Sequence, residues 1–243
     1  MPSSRVESPS SCQGEALSVM RNSFSTFRRV VSVGAMLLFI GGLTLSVFAA
    51  LVPRFPGDLP VALWVQSLAT PWLDTVMKAV TFLGQTYVAG ASILAVAVAF
   101  ALVRRWPEVV AFLGVAVMEG VVQVAKSLIG RPRPPEELLR IVESGSSGGF
   151  PSGHAYHAVV FGGLLLLLVV ANVRLVLVRR AVEVVVMMLI LVIGISRVYL
   201  GAHWPSDVLG SVALGTPSVA LLAYLCHWLK RRKKVSREGG LQP

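Results

Sequence analysis

The segment Ser196–Asp207 brings an arginine, a histidine and an aspartate into twelve residues, at the junction of two apolar segments. Charged groups cost several kcal/mol at the depth of a bilayer and are seldom placed there without a role. Pro205 suits the first turn of a helix, which needs no N–H from it, and so places Asp207 in that turn, close to His203. Because a carboxylate that orients an imidazole is part of a nucleophile or of an acid–base pair, the segment predicts nucleophilic or proton-transfer chemistry.

Fixed cations lie at the ends of two of the apolar segments. Lys126 and Arg133 stand where the third segment ends, in the sequence KSLIGRPRP, and Arg197 stands where the fifth ends. Ammonium and guanidinium groups bind phosphate oxygens well, so three of them near a membrane surface predict a phosphate site. Arg131 lies among them, and its charge either contacts the phosphate or only neutralises the loop and the lipid headgroups.

The fourth apolar segment opens on Pro-Ser-Gly-His, residues 151–154. Ser152 and Gly153 would begin a helix, where free N–H groups and the helix dipole also favour an anion. His154 can protonate a leaving oxygen, and His203 can attack as a nucleophile. Together with the cations, these residues predict phosphoryl transfer through a phosphohistidine, followed by hydrolysis by water.

The same three segments resemble the tripartite signature of the type 2 phosphatidic acid phosphatase (PAP2) family, which includes membrane lipid phosphatases. Lys-x6-Arg-Pro runs from Lys126 to Pro134, Pro-Ser-Gly-His occupies 151–154, and Ser-Arg-x5-His-x3-Asp runs from Ser196 to Asp207. Every signature residue is present and in order. The resemblance therefore implies a membrane lipid phosphatase of bacterial type.

The resemblance also implies a role for each matching residue. His203 would be the nucleophile, Asp207 its partner and His154 the acid for the leaving group. The phosphoryl oxygens would be bound by Lys126, Arg133, Ser152, Gly153 and Arg197. No metal or other cofactor is implied, and the sequence agrees, since it has no cluster of carboxylates, Cys or His at metal-ligand spacing.

The composition is that of a membrane protein. Of the 243 residues 55% are hydrophobic and 14% are charged, whereas soluble domains carry about 25% charged residues. The net charge of +10 could indicate binding to nucleic acid. However, the basic residues flank apolar segments, where membrane topology places them, and no basic stretch interleaved with aromatic residues lies elsewhere. The composition therefore favours a lipid bilayer as the partner and argues against nucleic acid.

Six apolar segments are long enough to cross a bilayer, which predicts an all-α, polytopic membrane helix bundle with six transmembrane helices. The predicted spans are 30–52, which we interpret as a retained helix, 79–103, 108–129, 155–173, 181–200 and 205–228. The phosphatase domain would occupy 30–229, between a disordered segment 1–29 and a basic tail 230–243 with a loose end. Val61–Ser67 and Trp72–Val80 are expected to be short amphipathic pieces at the membrane interface.

The basic residues predict the orientation of the bundle. If the N-terminus is cytoplasmic, fifteen of the twenty-two Lys and Arg residues fall on the cytoplasmic side, as the positive-inside rule requires. With six spans both termini are then cytoplasmic. The three chemical segments all fall on the outer side, so we expect a multi-pass protein of the plasma membrane with its active site on the extracytoplasmic side.

The sequence alone leaves open the identity of the substrate and the roles of several polar residues. Undecaprenyl pyrophosphate, phosphatidylglycerophosphate and phosphatidic acid all fit, and a likeness of Trp72–Gly84 to bacterial members favours the first. A phosphotransferase using the same phosphohistidine, or a non-enzymatic transporter or scaffold for lipid phosphates, are alternatives; the intact histidines count against the last. Glu119 and Gln123 share a helix face with Lys126 and either join helices or face a wet cavity. His157 is expected to have a packing or supporting role.

Overall fold

The computed structural model describes residues 33–145 and 147–239, with side chains as far as Lys233. The disorder predicted for 1–29 lies outside these residues. In the described part the chain is all-α, as predicted. Its helices are α1 (Val33–Leu51), α2 (Asp58–Gln66), α3 (Pro71–Phe82), α4 (Thr86–Leu102), α5 (Trp106–Ile129), α6 (Gly153–Asn172), α7 (Val176–Tyr199) and α8 (Pro205–Gly239).

The helix ends near the polar segments follow from local sequence. α5 ends at Gly130, whose φ of +61° lies in the left-handed region, a conformation that glycine adopts without the steric cost of a Cβ atom. α3 begins at Pro71 behind Thr70, whose Oγ1 accepts a hydrogen bond from the N–H of Leu73 at 3.4 Å. α8 also begins with a proline, Pro205, at a position where no N–H is needed.

Four of the helices are long and apolar enough to cross a membrane, namely α1, α5, α6 and α8 as far as Lys233. A fifth span forms if α3 and α4, which are bent by 49° at their junction, are taken together. The remaining predicted span, 181–200, corresponds to α7, which has 24 residues and begins five residues earlier, at Val176. The protein is thus a multi-pass helical bundle, with four to five candidate spans among the described residues, and the count of six and the orientation stay predictions.

Three element boundaries differ from the sequence predictions. The predicted second span, 79–103, is not one straight helix, because the chain bends at 83–85 between α3 and α4. The two interfacial pieces are longer than expected and form α2 and α3. The basic run with which the predicted tail begins at residue 230 is helical and continues α8 as far as Gly239.

The chain from Leu38 onward forms one compact unit. α6 packs against α7 and α8, and α5 packs against α4 and α8. Its main core is apolar and includes Phe112, Val115 and Leu164. Large apolar side chains also cover the outer surface, and Leu128 is 81% exposed. An apolar surface outside an apolar core suits a bundle whose solvent at that depth is lipid.

The ends of α5 and α7 and the starts of α6 and α8 meet at one end of this unit. A smaller apolar cluster of Ala62, Leu139, Val198 and Trp204 joins α2 and the long loop 130–152 to that end. This cluster fixes the loops around the polar side chains that the four helices bring together.

Candidate active site

Lys126, Arg133 and Arg197, which we call the cradle, lie around one cavity of about 310 Å³. His154 and His203 line the same cavity. Lys126 comes from the last turn of α5, Arg197 from the last turn of α7, and Arg133 from the loop between α5 and α6. The fold therefore brings together three cations that are up to 71 positions apart in the sequence.

The cradle carries more positive than negative charge. Lys126 is 3% exposed and forms no ion pair in the described part of the chain. Arg197 is also buried and donates to Glu143 Oε2 at 2.9 Å. Arg133 donates only to uncharged oxygens, among them the carbonyl of Ala202 at 2.9 Å. Burial and the nearby Arg197 lower the pKa of Arg133. Three buried or half-buried cations, of which only Arg197 is paired with a carboxylate among the described residues, make a strong site for an anion.

The start of α6 lies beside the cradle. Gly153 lines the cavity, and a Cβ atom built on it would lie 4.0 Å from Lys126 Nζ. Ser152 is the N-cap residue and is fully buried, and its Oγ has no hydrogen-bond partner among the described residues. Free N–H groups of this first turn add to the attraction for an anion.

His203 lies in the short loop between α7 and α8 and is 1% exposed. Its Nδ1 lies 3.4 Å from Asp207 Oδ2, an ion-pair distance that is too long for a good hydrogen bond. Burial lowers the pKa of His203 to about 4, against a smaller opposite effect of Asp207. The imidazole is therefore neutral at pH 7, which leaves a ring nitrogen free to attack.

Buried polar atoms without a hydrogen-bond partner are concentrated at this site. Among the described residues they include Ser152 Oγ, His154 Nε2, Arg197 Nε and His203 Nδ1. Nearly all buried polar atoms in folded proteins are paired, so a cluster of unpaired ones indicates a place prepared for a ligand or for water.

On the side away from the cavity, Asp207 belongs to a buried hydrogen-bonded group that we call the clamp. Its other members are Arg131, Asp58 and Ser206. Arg131 donates to Asp207 Oδ1 at 2.5 Å and to Asp58 Oδ2 at 2.8 Å, and its side chain is not exposed at all. Ser206 donates its N–H and its hydroxyl to Asp58, at 2.9 and 2.8 Å. The clamp fixes the carboxylate that faces His203.

A backbone connection, which we call the serine bridge, joins the starts of α6 and α8. The N–H of Ser152 donates to the carbonyl of Asp207 at 3.2 Å. Ser211 Oγ lies 2.9 Å from the carbonyl of Ser152 and 2.8 Å from that of Asp207. The segments that carry His154 and His203 are therefore tied directly to each other.

The structure brings all eight predicted site residues to this one end of the bundle. Lys126, Arg133, Gly153, Arg197 and the two histidines line the cavity, while Ser152 and Asp207 lie directly behind it. Arg131, for which two roles were open, binds carboxylates and belongs to the clamp.

Besides Ser206 of the clamp and Ser211 of the serine bridge, sequence reasoning missed three polar residues. Asp58 completes the clamp, and Thr81 and Glu143 bind Arg197. The signal for Glu143 was its place in a charged, glycine-rich loop beside the motifs. Asp58 and Thr81 carried no signal, because each is far from the motifs in sequence.

Comparison with known proteins shows the family of the chain. The family model described as the PAP2 superfamily matches residues 107–232. Phosphatidylglycerophosphatase B of Bacillus subtilis is 30% identical over 147 residues, which are 60% of this chain and 71% of that protein. Decaprenylphosphoryl-5-phosphoribose phosphatase of Mycobacterium tuberculosis is 29% identical over 182 residues, 73% of this chain and 96% of that protein.

Two solved structures share the fold. The crystal structure of a transmembrane PAP2 type phosphatidylglycerolphosphate phosphatase from Bacillus subtilis superposes with a TM-score of 0.71, at 26% identity, and covers 81% of this chain and 98% of that one. Aquifex aeolicus LpxE shares the fold with a TM-score of 0.58, at 20% identity, over 71% of this chain and 98% of that one. With three motifs gathered at one cavity and a family match over more than half its length, this chain belongs to the PAP2 superfamily and is a membrane lipid phosphatase of that family.

Proposed function

We propose that the protein hydrolyses the terminal phosphate monoester of a membrane lipid whose headgroup is a polyol joined to the lipid through a second phosphate. The observation that carries this proposal is the cavity in which His154 and His203 face three cations, of which only Arg197 has a carboxylate partner among the described residues. A dianionic monoester supplies the negative charge that the cradle lacks.

The geometry supports a two-step mechanism. Because Nδ1 of His203 faces Asp207, Nε2 attacks phosphorus, and the bond from phosphorus to the alcohol oxygen breaks. His154 gives its proton to the departing alkoxide, and the product is the free lipid alcohol. Water then attacks the phosphohistidine, His154 accepts the water proton, and inorganic phosphate leaves. The cradle binds the phosphoryl oxygens throughout both steps.

The substrate class rests on the two curated relatives. Their names describe a phosphatidylglycerophosphate and a decaprenylphosphoryl phosphoribose, and both compounds carry a phosphate monoester on a polyol headgroup. We therefore prefer a monoester to the undecaprenyl pyrophosphate that the sequence favoured. The lipid chains would lie along the apolar outer surface of the bundle, and the headgroup would enter the cavity at its polar end. By the distribution of basic residues, this end faces the extracytoplasmic side.

Release of inorganic phosphate from detergent-solubilised protein tests the proposal. The substrates are phosphatidylglycerophosphate, phosphatidic acid and undecaprenyl pyrophosphate, each with EDTA present. We expect turnover of phosphatidylglycerophosphate that persists in EDTA and disappears in His203→Ala. A strict requirement for metal, or turnover of the pyrophosphate alone, contradicts the proposal.

A further inference from the structure

A second polar pair lies in the same cavity and takes no part in the proposed chemistry. Nδ1 of His157 lies 2.6 Å from Glu119 Oε1, and both side chains line the cavity together with Gln123. The His157 ring is buried and stacks on Phe161, with centroids 5.1 Å apart. Glu119 is 25% exposed, so the histidine is held by the protein while the carboxylate keeps free surface towards the cavity.

The pair is set deeper along the helices than the cradle. Glu119 precedes Lys126 by seven residues, about 10 Å along α5. His157 follows Gly153 by four residues, about 6 Å along α6. Gln123 lies between the two levels, since its Nε2 would be 3.7 Å from a Cβ atom at Gly153. The cavity is therefore lined by cations at one level and by neutral and anionic oxygen-bearing groups at the next.

In the cavity the cations are followed by oxygen-bearing groups, and in the proposed substrate the terminal phosphate is followed by the hydroxyl-bearing polyol. The two orders match. His154 lies one helical turn from His157, and the alcohol that leaves from His154 must occupy the cavity next to that ring. A carboxylate repels phosphate but accepts hydrogen bonds from hydroxyl groups, and these bonds are stronger than those between neutral groups.

We propose that Glu119, held by His157, is a specificity-determining residue that binds a hydroxyl group of the polyol headgroup next to the phosphate ester. The inference rests on the proposed function and adds to it the feature of the substrate that the protein selects. Glu119 accepts a hydrogen bond from the hydroxyl group, and His157 orients the carboxylate. Some lipids carry their phosphate on a carbon chain that has no neighbouring hydroxyl group. When such a lipid binds, the Glu119 carboxylate has no hydrogen-bond partner, and the free energy lost in this way lowers kcat/KM for that lipid.

The test measures kcat/KM for two lipids, each with the wild type and with Glu119→Gln. The lipids are phosphatidylglycerophosphate and its analogue in which 1,3-propanediol replaces glycerol, so that only the headgroup hydroxyl is absent. For the wild type we expect kcat/KM to be about ten- to a hundredfold higher for the hydroxylated lipid, the range for hydrogen bonds to charged groups. In Glu119→Gln this ratio falls towards one, chiefly because the hydroxylated lipid reacts more slowly.

A matched control is Glu183→Gln, the same exchange in α7 at a residue that pairs with Arg180 at 2.8 Å, away from the cavity. It should keep the wild-type ratio. The thermal midpoint of each variant in detergent separates binding from folding, because a link that only joins α5 and α6 lowers the midpoint and slows both lipids equally. That equal loss, or a wild type without preference, overturns the inference alone. Absence of phosphate release from both lipids by the wild type overturns the proposed function and this inference together.

Discussion

Arg131 and Arg133 stand two residues apart in the same Arg-Pro-Arg-Pro segment, yet their surroundings are opposite. In the clamp, Arg131 is fully buried between two carboxylates, those of Asp58 and Asp207. In the cradle, Arg133 is half-buried, lines the cavity and donates only to uncharged oxygens. One arginine has its charge neutralised within the protein, and the other keeps its charge available.

This difference separates a supporting site from a binding site. A neutralised, fully hydrogen-bonded group has nothing left to offer a ligand, but it holds its partners in place. Uncompensated cations at one cavity repel one another, and binding of an anion relieves that repulsion. We therefore expect mutations in the clamp to affect stability first and mutations in the cradle to affect substrate binding first.

The largest effect should come from His203, which lies between the two groups. His203→Ala removes the proposed nucleophile and should lower kcat by at least about 10³-fold, as for other residues that act as a catalytic unit. Because the cradle is unchanged, inhibition or binding by inorganic phosphate should persist. Phosphate release from phosphatidylglycerophosphate at a rate near that of the wild type contradicts the assignment of this nucleophile.

Arg131→Ala should have the next largest effect, on stability. It leaves Asp58 and Asp207 buried without their cation, and breaking a buried pair in this way costs about 3–5 kcal/mol of the free energy of unfolding. Thermal unfolding in detergent measures the loss. Asp58→Asn should cost less, since Arg131 then keeps Asp207. An unchanged thermal midpoint for Arg131→Ala would show that the clamp does not support the fold.

Arg133→Ala should show the opposite pattern. It removes one of three like charges, so the thermal midpoint should stay the same or rise, while kcat/KM should fall about ten- to a hundredfold with the loss of charge-assisted hydrogen bonds. Steady-state kinetics and competition by inorganic phosphate measure the effect. A loss of stability as large as that of Arg131→Ala removes the distinction between the two arginines.

The charge state of His203 gives a smaller effect that depends on pH. Burial lowers its pKa from 6.5 to about 4 in the folded protein, so the unfolded chain binds this proton more readily. Protonation therefore favours unfolding, and stability is lost as pH falls from about 6.5 to about 4. His203→Gln lacks this titration, so its thermal midpoint should fall less than that of the wild type over this range. Parallel curves would mean that His203 titrates normally.

The smallest effect is expected at Arg140, a third arginine of the same loop. It forms a pair of hydrogen bonds with Asp74, at 2.7 and 2.8 Å, that raises the pKa of Arg140, but its side chain is 42% exposed. Exposed ion pairs contribute little, so Arg140→Gln should change the thermal midpoint by no more than about a degree or two. A larger change would mean that ion pairing rather than burial decides how much an arginine of this loop stabilises the protein.

The sequence predicted the residues that line the cavity better than the residues of the clamp that hold them in place. Lys126, His154, His203 and their neighbours are recognisable because each motif is local, and because polar residues at the ends of apolar segments have few structural explanations. Asp58 could not be predicted, since its partner lies 73 residues away and an acid in the first turn of a helix is common for other reasons.

The fold shows the same limit. Apolar runs predicted the helices and their approximate bounds, because lipid requires them. The bend at 83–85 could not be read from an apolar run. Gly84 of the bend packs closely against His154, so that a Cβ atom at this position would lie 2.8 Å from the ring. Local sequence carries periodicity and chemistry, whereas contacts between distant segments appear only when the chain is folded.

Because of the serine bridge, the two motif segments 151–154 and 196–211 can be exchanged between relatives only together. The N–H of Ser152 donates to the carbonyl of Asp207, and the hydroxyl of Ser211 lies within hydrogen-bond distance of the carbonyls of both, so a shift in either segment displaces the other. A chimera that takes residues 151–154 from a relative but keeps its own 196–211 combines two segments whose contacts in the serine bridge were not formed together. The loop at 134–145 takes no part in the serine bridge, so a change in its length does not act on the two histidines through this connection.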